Sequence, residues 1–173
     1  MTAKKRSFLK QFSRQQLPTV FLNYAKDGYV YANKLTEALK ENGIRVLNDN
    51  DFTIMSGELW IDRLQQNLLE SDVLIYLATP SSLRSKWILE ELRFSLQRKS
   101  HIIPIFFETH LEFVPFFIRD ILWLKEEVEA LERGPSKKVL EKILQLLGHF
   151  AKKTRTFTFG AKTIPTKRKT SLK

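Results

Sequence analysis

Apolar residues in the middle of the chain follow two periodicities that alternate along the sequence. Short runs rich in strand-forming residues predict four β-strands, at 19–24, 44–48, 72–78 and 101–107. Apolar residues spaced three or four positions apart predict four amphipathic helices, at 29–42, 57–70, 86–97 and 136–150. This alternation predicts an α/β, flavodoxin-like fold, with a parallel sheet of four to five strands and helices on both faces. The segment 108–135 fits loop, short strand or helix equally well.

The net charge of +10 is concentrated at the two ends of the chain. Residues 1–16 and 151–173 carry five and eight Lys/Arg and no acidic residue, whereas the segment between them is slightly acidic. A nucleic-acid-binding domain would carry its basic residues on a folded face, so we expect none here. We predict a basic extension over 1–17, one domain over 18–150 and a basic tail over 151–173. The ends are typical of solubilising segments, although contacts with nucleic acid, an acidic lipid or an effector protein stay open.

Several common kinds of site are disfavoured by what the sequence lacks. The chain has no cysteine, its three histidines lack metal-ligand spacing, and no apolar run reaches the length of a membrane span. We therefore expect no metal site and no membrane span. The absence of cysteine and of a recognisable secretory signal leads us to expect a cytoplasmic location. Neither GxGxxG nor GxxxxGK[ST] follows a predicted strand, which disfavours the usual dinucleotide and nucleoside-triphosphate sites.

The predicted helix 86–97 contains two adjacent glutamates in different settings. At about 100° per residue, Glu90 falls on the polar side of this helix, which indicates a solvated surface charge. Glu91 shares a different side with Trp87 and Phe94, at the border of the predicted core. This side lies near the carboxyl edge of the sheet, where ligands bind in folds of this kind. A border glutamate in a structural ion pair and a tryptophan packed in the core are the alternatives.

The chain resembles a Toll/interleukin-1 receptor (TIR) domain over about residues 18–150. The resemblance is carried by "VFLNYAKDG", "DFTIMSGELW" and "SDVLIYLATPSSLRSKWILEEL", the last containing a WCxxEL-like motif with Ile88 at the usual cysteine. The family more often has Ser where this chain has Asn23. The second segment is similar to the so-called BB loop and lacks the proline of animal receptor adaptors. These departures make the chain more similar to stand-alone prokaryotic TIR proteins.

The resemblance implies a particular reaction and a set of site residues. In NAD-cleaving members, the glutamate four positions after the tryptophan is catalytic, which corresponds to Glu91 here. By the same resemblance, Trp87, Asn23, Tyr24 and Lys26 would bind the substrate, and no cofactor besides NAD⁺ itself would be needed. A core-edge tyrosine and a solvated lysine are the alternatives for Tyr24 and Lys26.

The resemblance also implies a role in prokaryotic antiphage defence and activity that depends on self-association. In the BB loop, Phe52, Met55, Ser56 and Gly57 would gate the cleft or contact a neighbouring copy. A single carboxylate is chemically sufficient, because nicotinamide leaves a cationic ring as a neutral molecule and needs no acid to protonate it. The product can be linear, cyclic or transferred ADP-ribose. The alternative is a non-catalytic TIR–TIR interaction module, acting as a signalling adaptor or a host-directed virulence factor.

Overall fold

The strands form one parallel sheet in the order β2-β1-β3-β4-β5. The computed structural model describes residues 17–47, 58–98, 100–107 and 114–154. The strands are β1 (Val20–Asn23), β2 (Val46–Leu47), β3 (Val73–Ala78), β4 (His101–Phe107) and β5 (Leu124–Glu126). The predicted flavodoxin-like α/β fold is confirmed, and five strands of the sheet lie within these described ranges.

Helices connect successive strands. The longer ones are α1 (Tyr29–Glu41), α2 (Glu58–Glu70), α4 (Lys86–Gln97) and α7 (Lys137–Thr154). The shorter ones are a 3₁₀ turn (Lys26–Gly28), α3 (Pro80–Arg84), α5 (Phe116–Arg119) and α6 (Ala130–Arg133).

Alternate residues of the central strands enter two separate apolar layers. In β3, Ile75 and Leu77 face the layer formed with α1 and α7, whereas Leu74 and Tyr76 face the layer formed with α2 and α4. All four side chains are fully buried. Burial on both faces explains why this strand reads as a continuous apolar run in the sequence.

The register of β1 against β3 determines where the last residue of β1 lies. Asn23 pairs with Tyr76 in parallel register, and in-register neighbours project to the same face of a sheet. The side chain of Asn23 therefore lies on the α2/α4 side, at the carboxyl end of its strand. It is 2% exposed, so a polar amide is buried where the surrounding positions are apolar.

The structure also resolves part of the ambiguous segment 108–135. Residues 114–135 form α5, the three-residue strand β5 and α6. The strand is short and alternates buried and exposed residues, so its sequence carries little apolar signal. The short helix α3 was not predicted, and the loop over 48–57 lies outside the described residues.

Candidate active site

The carboxyl end of β1 and the first turns of α4 enclose a cavity of about 300 Å³. Its polar and aromatic lining residues come from two places, the segment that ends β1 and the start of α4. They are Asn23, Tyr24, Lys26, Ser85, Trp87 and Glu91. The cavity thus contains every candidate catalytic and substrate-binding residue named from the sequence.

Glu91 is a buried carboxylate in the wall of this cavity. Only 9% of the residue is exposed, and its Oε2 accepts a hydrogen bond from Nδ2 of Asn23. The other amide atom of Asn23, Oδ1, is buried and has no hydrogen-bond partner among the described residues. A charge this deep is stable only when hydrogen-bonded, and the amide N–H of Asn23 supplies one such bond.

The start of α4 fixes the direction of Glu91. Ser85 caps the helix, with its Oγ accepting a hydrogen bond from the backbone N–H of Ile88 at 3.3 Å. Ile88 is buried against the sheet, so the helix cannot rotate freely about its axis. This orientation directs Glu91 inward and leaves Glu90 exposed, where Glu90 forms an ion pair with Arg93. The interpretation of Glu90 as surface charge is therefore confirmed.

Trp87 lies one helical turn before Glu91 and is 42% exposed at the cavity mouth. Burial in the core, the alternative reading of this tryptophan, does not agree with that exposure. Phe94, one turn beyond Glu91, is 36% exposed and lies near Arg98, whose guanidinium carbon is 5.8 Å from its ring centre. The aromatic–carboxylate–aromatic side predicted for α4 is therefore present at the border of the core.

Sequence comparison with known families gives a match over most of the chain. A family model described as "TIR domain" matches residues 20–134. The chain belongs to the TIR domain family. The matched region contains all of the cavity-lining residues named above. No curated protein matches the chain at a significant level.

Solved TIR domains share the fold at low sequence identity. The TIR domain of the Toll-related receptor TRR-2 from Hydra magnipapillata is 19% identical, with 77% of this chain and 98% of that chain covered and a TM-score of 0.57. The TIR domains of the activated Roq1 resistosome, which recognises the pathogen effector XopQ, are 17% identical, with 74% and 98% covered and a TM-score of 0.50. At this level of identity the likeness concerns the fold alone.

A carboxylate that was not singled out from the sequence locks one wall of the TIR cavity. Asp27, in the 3₁₀ turn after β1, accepts hydrogen bonds from Oγ1 of Thr79 at 2.6 Å and from the backbone N–H of Ser81 at 3.0 Å. These bonds tie the segment that carries Tyr24 and Lys26 to the turn after β3. Partial burial raises the pKa of Asp27, but the hydrogen bonds from Thr79 and Ser81 outweigh it, and the pKa lies below its usual value.

Replacing Asp27 with asparagine should lower the stability of the TIR domain at pH 7 by at most about 1 kcal/mol, because Asp27 is an exposed residue and solvent screens its charge. A carboxylate whose pKa is lowered by folding stabilises the native state above its unfolded pKa. The difference in unfolding free energy between the wild type and Asp27→Asn should therefore shrink as the pH falls below about 4. Urea titrations between pH 3 and pH 7 measure this, with the exposed Asp62→Asn as control. A difference that does not vary with pH would contradict the assignment.

The turn after β3 is itself held by a capping box. Thr79 caps α3, its Oγ1 accepting from the N–H of Ser82 at 3.3 Å while Ser82 Oγ accepts from the N–H of Thr79 at 2.8 Å. The hydroxyl of Tyr76 lies 3.0 Å from Ser82 Oγ, and burial raises the pKa of Tyr76 to about 12. Thr79 followed by Pro80 at the first helical position was the available sequence signal for this short helix.

The remaining predictions concern the loop before α2, metal binding and a membrane span. The loop candidates Phe52, Met55, Ser56 and Gly57 lie outside the described residues. Within the described ranges, no group of three His, Cys, Asp or Glu side chains is placed to hold a metal ion. None of the helices in that part of the chain is long and apolar enough to cross a membrane.

Proposed function

We propose that this TIR domain cleaves the bond between nicotinamide and ribose in NAD⁺. The observation that carries the proposal is the buried carboxylate of Glu91, hydrogen-bonded to Asn23 in a cavity bordered by an indole ring. In the reaction, the C1′–N bond breaks and its electron pair stays on the ring nitrogen, so nicotinamide leaves as a neutral molecule. The ribose is left as an oxocarbenium-like cation, and water that adds to C1′ loses one proton and gives ADP-ribose.

Glu91 would stabilise the positive charge that develops on the ribose. A fixed anion in a partly buried site interacts more strongly with a developing cation than it would in bulk solvent. No acid is required, because the leaving ring gives up its positive charge as the bond breaks. One carboxylate, that of Glu91, is therefore sufficient for the chemical step.

The other cavity residues suit recognition of the substrate. Trp87 presents an aromatic face for a planar cationic ring, and Lys26 would attract the pyrophosphate. Tyr24 would contact the sugar or the ring from the opposite segment. The volume of about 300 Å³ lies at the small end of ligand sites, which range from about 300 to 1,000 Å³. This size fits the nicotinamide riboside part of NAD⁺, with the rest of the dinucleotide reaching out along the open side.

The direct test is to incubate the full-length protein with NAD⁺ over a range of protein concentrations and separate the products by chromatography. Release of nicotinamide above a blank without protein supports the proposal. Retention times and masses then distinguish linear, cyclic and transferred ADP-ribose. If NAD⁺ stays intact even at high protein concentration, the chain is better described as a non-catalytic interaction module.

Replacing Trp87 with alanine should raise the KM for NAD⁺ by about tenfold, because the indole contributes about 1 to 2 kcal/mol of ring contact. Trp87→Phe keeps an aromatic face and should restore most of the affinity. The exposed Leu69→Ala serves as control, since Leu69 lies on α2 and does not line the cavity. Steady-state kinetics measure the effect, and an unchanged KM in Trp87→Ala would exclude a role for the indole in binding.

Self-association belongs to the same proposal. Phe116 and Leu122 are 77% and 67% exposed, which leaves apolar surface for contacts with another copy. The Roq1 TIR domains were solved within an assembled resistosome. An NAD⁺-consuming domain that becomes active on assembly suits a cytoplasmic protein of antiphage defence. A role in prokaryotic antiphage defence is therefore part of the proposed function.

A further inference from the structure

We infer that Asn23 is a positioning residue for Glu91 and does not itself bind the substrate. Its amide nitrogen donates to Oε2 of Glu91, and the whole side chain is 2% exposed. The inference rests on the proposed function for its kinetic consequences. The physical claim underneath it, that Asn23 keeps Glu91 charged and directed, can be tested without any substrate.

The hydrogen bond opposes the effect of burial on the carboxylate. Burial disfavours the charged form of a carboxylic acid and raises its pKa, whereas an N–H donor favours the charged form and lowers it. Glu91 is 91% buried, so the loss of a donor would shift it towards the neutral acid. A neutral acid could not stabilise a cation on the ribose. Asn23 would therefore extend towards lower pH the range over which Glu91 is charged.

Asn23 is a poor choice for packing alone. With Nδ2 directed at Glu91, its Oδ1 is left buried with no partner among the described residues, which costs stability. Its neighbours Phe21 and Leu22 in β1 are both apolar and buried. An apolar side chain of similar size would fill the position without an unsatisfied oxygen. We therefore attribute the presence of an amide at this position to the hydrogen bond that it donates to Glu91.

Other charged and titratable groups lie on the elements that surround the pair. Lys26 and Tyr24 line the cavity from the segment after β1, and Lys86 and Glu90 on α4 are exposed to solvent. Tyr76, the cross-strand neighbour of Asn23, has a pKa of about 12 and stays neutral in the pH range of interest. Asn23 contributes no charge of its own, so its removal changes the pKa of Glu91 through the lost hydrogen bond.

The test uses the full chain and two variants, Asn23→Leu and Asn23→Ala. The titration of the Glu91 side chain is followed by carbon-13 NMR, with the resonance identified by its loss in Glu91→Gln. Asn23→Leu should raise the pKa of Glu91 by about one unit or more, which is a tenfold or greater shift in protonation. Asn23→Ala removes the same donor without adding a charge and should shift the pKa in the same direction.

Kinetics on NAD⁺ separate positioning from substrate contact. In Asn23→Leu, the acid limb of the kcat profile should move upward by the same amount as the Glu91 pKa, so that kcat at a pH on this limb falls about tenfold, with KM changed less than about threefold. Asn42→Ala is the matched control, because Asn42 is also buried but caps the far end of α1 through a bond to the carbonyl of Ala38. That variant should lose stability and keep both the Glu91 titration and the pH profile.

The outcomes are distinguishable. An unchanged Glu91 pKa in both variants overturns the inference, and so does a rise in KM with kcat and pKa unchanged, which would make Asn23 a substrate contact. If the wild type does not cleave NAD⁺ but the titration shifts as expected, the proposed function fails and the inference about Asn23 stands. Circular dichroism shows whether each variant is folded, and Asn23→Ala provides the test if Asn23→Leu does not fold.

Discussion

Glu91→Gln should reduce nicotinamide release from NAD⁺ by about 10³-fold or more, which corresponds to about 4 kcal/mol of transition-state stabilisation. Glutamine has the shape of glutamate but no negative charge. The wall of the cavity therefore keeps its shape, while the charge that would face the ribose is removed. The rate is measured by chromatography of nicotinamide at saturating NAD⁺. The loss should appear in kcat, because the developing cation is present only in the transition state.

Glu90→Gln is the matched control for this result. It makes the same chemical change one position earlier, on the exposed side of α4, where Glu90 is paired with Arg93. Loss of an exposed ion pair costs little, so the folded fraction and the activity should stay within about twofold of the wild type. If Glu91→Gln were as active as Glu90→Gln, the carboxylate would not be the charge that stabilises the ribosyl cation.

Much of the fold follows from apolar periodicity alone. The boundaries predicted for β4 and α4 agree with the structure, and those for α1 and β3 differ by a single residue at one end. These elements are either covered on both faces or strongly amphipathic, so each has a clear pattern. Segments of three to five residues, such as β5 and α3, have too few positions to establish a period. Their conformation is set by cross-strand pairing and capping, which depend on residues distant in sequence.

The candidate site likewise combines features that local sequence patterns predict with features that depend on tertiary structure. Helical geometry at 100° per residue separates Glu91 from Glu90, and the predicted parallel sheet puts Tyr24 and Lys26 near the same edge. The hydrogen bond between Asn23 and Glu91 spans 68 residues of sequence and depends on the register of β1 beneath α4. The bond from Thr79 to Asp27 spans 52 residues and likewise depends on tertiary structure. Sequence patterns therefore indicate which residues reach the edge, while strand register and helix packing determine which of them touch.

A second buried carboxylate, on the opposite face of the sheet, has a structural role. Glu126 at the end of β5 is 5% exposed, and its Oε1 accepts from the hydroxyl of Tyr31 at 3.2 Å and from the backbone N–H of Ser136 at 2.7 Å. It thereby joins α1, β5 and the residue that precedes α7. Burial and, secondly, the negative charge of Glu126 raise the pKa of Tyr31 well above its usual value, so the phenol remains a donor.

Glu126→Ala should lower the free energy of unfolding by about 2 to 4 kcal/mol, because a buried hydroxyl and a backbone N–H both lose their acceptor. Urea denaturation at pH 7 measures the loss, and Glu127→Ala, which removes an exposed carboxylate from the next position, should stay within about 0.5 kcal/mol of the wild type. The cavity lies across the sheet, so NAD⁺ cleavage per folded molecule should not change in either variant. A loss below about 0.5 kcal/mol in Glu126→Ala would mean that water replaces the carboxylate at no net cost. If NAD⁺ cleavage per folded molecule fell in Glu126→Ala but not in Glu127→Ala, the packing between α1 and β5 would influence the geometry of the Glu91 cavity on the other face of the sheet.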